Sequence, residues 1–392
     1  MRIGAVTATP VNIPLRAAYR FAYGSTASLT KTIVEVSTDE GVTGVGEAAD
    51  GDRSADLERL GARLVGLDPL DLNEAERRCV PAMSYAPWDN LVALRRAFSA
   101  IEMALWDLRG RVEGRPLHAL LGGAVRRSIP VTEYFAFRLA GPGEPGESTA
   151  LEVARHCARM VEQHGAGGFE GKLGTVVASE EVAMVREVRR AIGDERLLRL
   201  DANGRFTVST ALDMWRRIER FGVQHWEDPV DTLEELARLR PQLGCTVSTH
   251  RPDLRRALQL GVPDVFVCNL AELGGIRRTV EFVQACELLG VGFWFHSGET
   301  GVATAAYLQL SAALEPVRAP SQTLVRWMAD DVIEGGPFVP AGGAIGLPDG
   351  PGLGVTLDPE AVRRCHRRFL EEGAFPSGEP GGGGYGSGFR RV

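Results

Sequence analysis

The sequence predicts an α/β protein, in which a parallel (β/α) barrel follows an N-terminal α+β unit. From residue 129 onward, short apolar runs alternate with amphipathic helical stretches, a pattern typical of βαβ units around a parallel sheet. Seven or eight such repeats over about 200 residues favour a closed barrel over an open sheet. The chain of 392 residues, 44% of them hydrophobic, is long enough for two domains, one of them large.

Residues 1–128 are predicted to form the α+β domain. Residues 32–38 alternate apolar and polar side chains, as expected of a half-buried strand, and 42–47 can return beside them after a turn. Three helices are then predicted, over residues 53–66, 71–79 and 90–112. In the last of these, apolar residues recur every three or four positions and form one stripe along the helix.

The barrel is predicted over residues 129–325. Its candidate strands are 129–136, 168–173, 196–201, 223–227, 244–249, 264–269 and 292–296. The helical stretches between them include 180–192, 208–221, 232–240, 253–260 and 275–289. Residues 326–372 return to turns and short elements, and we expect the C-terminal segment 326–376 to pack back on the α+β domain. Residues 377–392 contain the run GGGGYGSG and are predicted to be a flexible tail.

Composition and charge argue against several classes of protein. The formal net charge of −7 opposes non-specific binding to nucleic acid or to an anionic membrane. No stretch approaches the roughly 20 apolar residues that span a bilayer, and the N-terminus lacks the apolar core of a signal peptide, so we expect a cytoplasmic protein. The six cysteines lie far apart without a CxxC pair, which favours free thiols over a zinc ribbon.

Polar residues stand at the carboxyl ends of successive predicted strands, where barrel enzymes place their active sites. These residues are Lys172, Asp201 with Asn203, Glu227, His250, Asn269 and His296. Isolated carboxylates more often cap helices or pair with arginines, but two of them at neighbouring strand ends repel each other unless a cation lies between them. We therefore predict that Asp201, Glu227 and His250 bind a metal ion. Oxygen ligands favour Mg²⁺, and the softer imidazole makes Mn²⁺ or Zn²⁺ an alternative.

Several motifs resemble those of the mandelate racemase and muconate lactonizing enzyme branch of the enolase superfamily. Two of them, LDANG at 200–204 and EDP at 227–229, coincide with the predicted metal-binding strand ends. Further matches are SAIEMALWDLRG (99–110), GRPLHALLGG (114–123), GGI (274–276) and GLPDGPGLGV (346–355). Each motif is weak alone, but their order and spacing are specific.

The resemblance implies a modified TIM barrel, (β/α)7β, whose N-terminal α+β capping domain is completed by the C-terminal segment. It also implies metal-dependent removal of the proton next to a substrate carboxylate, through an enediolate intermediate. Lys172 matches the second lysine of the family's Lys-x-Lys motif, which is the proton-abstracting base, and Glu170 departs from the first lysine. A shifted alignment would place Gly174 on the base position; we adopt the ungapped alignment, which keeps Lys172 there.

His296 matches the histidine of the family's His–Asp dyad, and Asn269 stands where the aspartate, or the lysine of the muconate-type branch, is expected. Asn can orient an imidazole but cannot stabilise its cation as a carboxylate does, so the resemblance implies a weaker base or an acid of lower pKa. His250 likewise replaces the family's usual carboxylate or amide ligand. Glu170, Asn269 and His250 are thus three deviations at positions that define the reaction.

Substrate contacts are expected from the barrel mouth and from capping-domain loops at 19–26 and 46–53. The predicted substrate-binding residues are Glu170, Asn203, Glu299, Tyr23 and Tyr134. Tyr19, Phe21 and Tyr23 would form a neutral aromatic lid or, alternatively, would pack the interface between the two domains.

The run WFHSGETG at 294–301 resembles acid-sugar dehydratases of the glucarate type, so dehydration of a small hydroxy or sugar acid is the first hypothesis. A racemase, epimerase or cycloisomerase on the same scaffold is the second. A carboxylate-binding paralogue with little or no catalysis is the third, and the three deviations motivate it. In each case the expected partner is a small-molecule carboxylate, and the resemblance alone implies a homo-oligomer.

Overall fold

The capping domain is built on a sheet in which two long antiparallel strands and one short one are joined, at one edge, by a further two-residue strand. The computed structural model describes residues 1–49, 51–81, 91–296, 298–375 and 392. The strands are β1 (Ile3–Phe21), β2 (Gly24–Thr38) and β3 (Thr43–Ala48). The sequence pattern does not indicate β1, because Pro10 and Pro14 interrupt it; β1 tolerates them because it lies at the edge of the sheet along most of its length. The predicted loop at 19–26 is instead the tip of the β1–β2 hairpin.

Four helices follow this sheet among the residues that the structure describes. They are α1 (Ser54–Gly61), α2 (Leu72–Cys79), α3 (Leu91–Glu113) and α4 (Leu117–Leu120). Helix α3 packs so closely on β3 that its backbone contacts two glycines of the strand. A Cβ atom added at Gly44 or Gly46 would lie 2.1 Å from a carbonyl oxygen of the helix, that of Ala104 or Ala100. Gly44 and Gly46 therefore serve the packing of a helix on a strand.

The substitution Gly46→Ala is expected to lower the free energy of unfolding by about 3 kcal/mol, because the new methyl group overlaps backbone atoms that cannot rotate away. Urea denaturation would measure the loss. Gly346→Ala is the matched control, since its Cβ would meet open space, and it should change stability by less than about 0.5 kcal/mol. Equal stability of the two variants would contradict the close packing of α3 on β3.

The barrel strands follow, together with two short strands that lie outside the parallel sheet. In chain order they are β4 (Ser128–Pro130), β5 (Glu133–Phe135), β6 (Arg138–Leu139), β7 (Gly168–Lys172), β8 (Leu197–Asp201), β9 (His225–Glu227), β10 (Thr246–Thr249), β11 (Val265–Cys268) and β12 (Gly292–Phe295). The helices of this region are α5 (Ala150–His164), α6 (Ala178–Ile192), α7 (Val208–Ile218), α8 (Leu233–Leu239), α9 (Leu254–Leu260), α10 (Leu270–Leu273), α11 (Ile276–Leu288) and α12 (Gly301–Ala313). Helices α5, α10 and α12 are additional to those named from the sequence.

A short segment at Ser321 and Gln322 closes the barrel. Strands β5 and β7 to β12 form one parallel sheet, in which each strand pairs with the next one along the chain. Ser321 N–H donates to Pro130 O (3.1 Å), Thr132 N–H donates to Ser321 O (2.9 Å), and Gln322 N–H donates to Phe295 O (3.0 Å). The segment thus joins the two edges of the sheet, and the architecture is a modified TIM barrel with an N-terminal α+β capping domain.

The predictions for 129–136 and 326–376 need correction. Residues 129–136 do not form one strand: β4 pairs antiparallel with β13 (Ala344–Gly346), and only β5 enters the barrel sheet. The segment 326–376 is not confined to turns and short elements, because it contains the 14-residue helix α13 (Pro359–Glu372). Asp358 caps this helix by accepting from Glu360 N–H (2.9 Å).

Helix α13 packs on β1 of the capping domain. His366 Nδ1 lies 2.7 Å from Pro10 O, and Asn12 Nδ2 donates to Glu372 Oε2 (3.1 Å). The domain boundaries at 128/129 and 325/326 stay predictions. The predicted flexible tail falls outside the described residues except for Val392, whose N–H donates to Arg205 O. Every helix in the described part of the chain is too short or too polar to cross a membrane.

Two buried carboxylates of the capping domain accept hydrogen bonds from the first turns of barrel helices. Glu47 accepts from Thr300 N–H (2.9 Å) and Ala303 N–H (3.0 Å) at α12. Glu102 accepts from Ile276 N–H (2.6 Å) at α11. The first N–H groups of a helix have no partner within it, and the helix dipole favours negative charge there. Because these helices begin where the strands end, both contacts hold the capping domain over the barrel mouth.

Glu102 should make stability depend on pH. Burial raises its pKa to about 7, although Ile276 N–H, Arg277 N–H and Trp106 Nε1–H all donate to it. The folded state therefore keeps a proton that the unfolded chain loses above about pH 4.5, so the free energy of unfolding should fall by up to about 3 kcal/mol as pH rises from 4.5 through 7. Glu102→Gln should remove this slope in urea titrations between pH 4.5 and 8, and equal slopes would contradict the assignment.

Candidate active site

Asp201, Glu227 and His250 come together at the carboxyl ends of three adjacent strands. Asp201 ends β8 and pairs with Glu227, the last residue of β9, and His250 follows β10. One ligand atom from each side chain lies within 4.8 Å of the other two. Because Asp201 and Glu227 are only 0% and 1% exposed, water does little to stabilise their charges, and a nearby cation is needed to offset them.

The contacts of this cluster fit a divalent ion. Glu227 Oε1 lies 2.5 Å from His250 Nε2, and burial together with the charge of Asp201 raises the pKa of Glu227 well above its usual range. Asn203 holds Asp201 in place, since its N–H donates to Oδ1 (2.7 Å) and its Nδ2 donates to Oδ2 (2.8 Å). The two buried carboxylates repel each other, and a cation between them removes this repulsion. Two carboxylates and one imidazole are ligands that suit a hard or borderline divalent cation.

Lys172 lies beside this cluster as an ammonium group. Its Nζ donates to Asp201 Oδ2, and it lies 5.2 Å from the centre of the Tyr134 ring. Burial opposes the charged form, but the carboxylate of Asp201, with contributions from Tyr19 and Glu227, outweighs burial and raises the pKa of Lys172. Lys172 is therefore protonated as long as Asp201 is its partner.

His296 also faces the cluster, but Asn269 does not orient it. The His296 ring lies 4.5 Å from that of His250, and its buried Nδ1 has no hydrogen-bond partner among the described residues. Asn269 Oδ1 instead accepts from Glu272 N–H (2.9 Å) and caps helix α10. Among the described residues no hydrogen bond joins Asn269 to His296, and the predicted catalytic role of Asn269 stays a prediction. Burial, followed by the charges of His250, Lys172 and Lys31, lowers the pKa of His296 well below its usual range.

The other predicted substrate-binding residues differ in their placement. Glu170 is fully buried below Lys172 on β7 and accepts hydrogen bonds from side chains of the barrel interior, so a substrate contact is not what its geometry indicates. Asn203 is engaged with Asp201. Glu299 is buried directly before Thr300, at the contact between the capping domain and α12. Tyr134 lies on β5 beside Lys172.

The aromatic residues of the hairpin tip form a chain that reaches the barrel. The rings of Tyr23 and Phe21 are 4.6 Å apart, those of Phe21 and Tyr19 are 5.2 Å apart, and Tyr19 lies 5.4 Å from Trp327. Trp327 in turn lies 5.8 Å from Tyr134. Tyr19 is therefore close to the lysine end of the mouth, whereas Tyr23 is at the outer end of the chain.

The sequence analysis missed two residues that the structure brings to the site. Gln322, in the segment that closes the barrel, donates to Glu227 Oε2 (2.5 Å). Lys31, on β2, is buried and donates to the carbonyl oxygen of Ala49, and its charge acts on His296. Composition offered a signal for Lys31: of the 44 lysine and arginine residues, only Lys31 and Lys172 are lysines. No strand-like pattern marks Gln322.

Comparison with known proteins agrees with this architecture. Residues 3–122 match the N-terminal domain of mandelate racemase / muconate lactonizing enzyme, and residues 152–361 match the enolase C-terminal domain-like family. The chain belongs to the mandelate racemase and muconate lactonizing enzyme branch of the enolase superfamily. This confirms the resemblance that the motifs indicated.

The relatives within this family are lyases and isomerases. A probable glucarate dehydratase from Streptomyces coelicolor is 29% identical over 373 residues, which cover 87% of this chain and 86% of the relative. A chloromuconate cycloisomerase from Cupriavidus necator is 28% identical, with coverage of 94% and 100%. The crystal structure of an enolase from Pseudomonas fluorescens, with bound magnesium, potassium and tartrate, superposes with a TM-score of 0.86 at 28% identity and covers 95% of this chain and 93% of its own.

Proposed function

We propose that this protein uses a divalent cation, Mg²⁺ or Mn²⁺, to remove the α-proton of a small carboxylate that carries hydroxyl groups on its α- and β-carbons. The β-hydroxyl leaves as water, and the enol that remains tautomerises to a 2-keto acid. The observation that carries the proposal is the buried cluster of Asp201, Glu227 and His250, with Lys172 on one of its carboxylates and His296 against its imidazole. The similarity to a probable glucarate dehydratase and the run WFHSGETG at 294–301 support dehydration as the first candidate.

Asp201, Glu227 and His250 would hold the ion. When bound, a divalent cation supplies positive charge where the substrate carboxylate gains electron density as the α-proton leaves. Lys172 is the proposed acceptor of that proton. Its ammonium group donates to Asp201 and cannot accept a proton in that state. Lys172 can act as the base only after Asp201 binds the metal ion instead and the ammonium has lost a proton.

His296 is the proposed donor to the leaving β-hydroxyl, which departs as water. Its ring is half-buried at the mouth and lies 4.5 Å from the ring of His250, so the imidazole is placed to exchange a proton with a substrate held at the cluster. The low pKa of His296 makes its cation a strong acid, as protonation of a poor leaving group requires. The proton removed from carbon and the proton given to oxygen thus belong to different side chains.

A racemase or epimerase is the second candidate, and the placement of two proton carriers at one cluster supports it. Lys172 donates to Asp201, and the ring of His296 lies 4.5 Å from that of His250. An amine and an imidazole beside the same site can give and take the proton of one carbon.

A screen of hydroxy acids and acid sugars in D₂O with Mg²⁺ or Mn²⁺, followed by ¹H NMR, would test the proposal. Formation of a 2-keto acid supports dehydration. Loss of the α-hydrogen signal without a keto product supports the racemase. Ligands that raise the melting temperature without any exchange would point to a carboxylate-binding paralogue and would overturn both catalytic readings.

A further inference from the structure

We infer that Gln322 and Glu170 form a pair that positions the metal ligand Glu227, and that Glu170 does not contact the substrate. The inference rests on the proposed function, because it concerns the proposed metal site. Gln322 Nε2 donates to Glu227 Oε2 (2.5 Å) and to Glu170 Oε1 (2.6 Å). An ionised carboxylate only accepts hydrogen bonds, so when both acids are ionised, as a bound cation requires of Glu227, the amide nitrogen with its two protons is the group that lies between them.

Burial leaves this arrangement with few alternatives. Gln322 is 4% exposed, Glu170 is 0% exposed, and the amide oxygen of Gln322 has no partner in the described part of the chain. The orientation of the amide is therefore set by the two carboxylates, which would repel each other without it. If either acid were replaced by an apolar group, the Gln322 side chain would lose one of the two hydrogen bonds that orient its amide.

Arg199 fixes the pair from below. Its Nη1 lies 3.7 Å from Glu170 Oε2 and donates to Pro320 O (2.7 Å), two residues before Gln322. The guanidinium also stacks 3.7 Å over the ring of Trp294. Arg199 thus holds in place both Glu170 and the backbone that leads to Gln322. Its positive charge also explains why an acidic residue is stable at position 170.

Gln322 determines which way Glu227 points. With Oε2 engaged by Gln322, only Oε1 is directed toward His250 and the rest of the donor cluster. Groups that hold a metal-binding carboxylate in this way typically contribute about 10- to 100-fold to metal affinity. Gln322 and Glu170 are therefore positioning residues, and their effect should appear in metal binding before any substrate is present.

Calorimetric titration of the metal-free protein with Mn²⁺ would test this, with the melting temperature measured in parallel. Gln322→Met and Glu170→Met should each weaken Mn²⁺ binding by about 10- to 100-fold. The double variant should bind no more weakly than the weaker single variant, because the two residues act as one unit. Gln309→Met is the matched control: Gln309 is 0% exposed and donates to Pro348 O and Leu353 O, so its loss should lower the melting temperature without changing the Kd.

The outcomes separate the inference from the proposed function. A Kd that rises in the Gln322 and Glu170 variants but not in Gln309→Met supports the positioning role. Wild-type affinity in Gln322→Met or Glu170→Met, or an equal loss in all three variants, overturns it and leaves the proposed function standing. A wild-type protein that binds no Mn²⁺ or Mg²⁺ would overturn the proposed function itself.

Discussion

Replacing Asp201 by asparagine should reduce metal-dependent α-proton exchange by on the order of 10³-fold. The variant keeps the shape of the side chain but removes one of two buried negative charges that the ion needs. It also turns an amide toward the ammonium of Lys172, where a carboxylate oxygen now accepts. We expect divalent-ion affinity to fall by at least about 100-fold, because a ligand contributes more than the groups that orient it. Mn²⁺ titration and exchange of the α-hydrogen in D₂O would measure the two losses.

Asp264→Asn provides a control of the same chemistry at the opposite end of the barrel. Asp264 precedes β11, accepts from Val247 N–H (2.8 Å) and pairs with Arg240 (2.8 Å), far from the strand ends that carry the cluster. It should lose stability but keep metal affinity and exchange. Full exchange activity in Asp201→Asn would mean that the proposed ion does not lie between Asp201 and Glu227.

The metal cluster could be predicted from the sequence because it depends on local order. Each ligand directly ends or follows a strand, and adjacent parallel strands bring their carboxyl ends together whatever the details of the loops. Gln322 could not be predicted, because its position depends on hydrogen bonds between two distant edges of the sheet and not on a strand pattern. Its role emerges only when Glu170 and Glu227 are seen on either side of it.

The capping role of Asn269 could have been predicted from the sequence. Asn269 is followed three residues later by Glu272, the spacing of a capping box, and the structure contains both hydrogen bonds of that motif. The side-chain oxygen of Asn269 is used in this local cap and not in a contact to His296.

Helix α13 could also have been predicted from the sequence. Asp358 and Pro359 mark a helix start, and Ala361 and Cys365 bury one face of the helix. The glycine-rich residues before them concealed this pattern.

Lys172→Met should lower α-proton exchange by on the order of 10²- to 10⁴-fold, the range of a lost general base. Divalent-ion affinity should rise in the same variant, because Asp201 loses the ammonium group that now occupies one of its oxygens. Opposite changes in exchange and in metal affinity would distinguish the loss of a base from a general collapse of the site. Exchange in D₂O and Mn²⁺ titration of the metal-free protein would record them.

Lys172→Arg separates the charge of the residue from its basicity. A guanidinium can keep the ion pair with Asp201, but it does not release its proton near neutral pH, so exchange should be lost while metal affinity stays below that of Lys172→Met. His296→Ala completes the series, since it removes the second proposed proton carrier. Exchange or keto-acid formation that persists in both Lys172→Ala and His296→Ala would contradict the proposal. It would show that neither side chain is needed to take the α-proton or to protonate the leaving group.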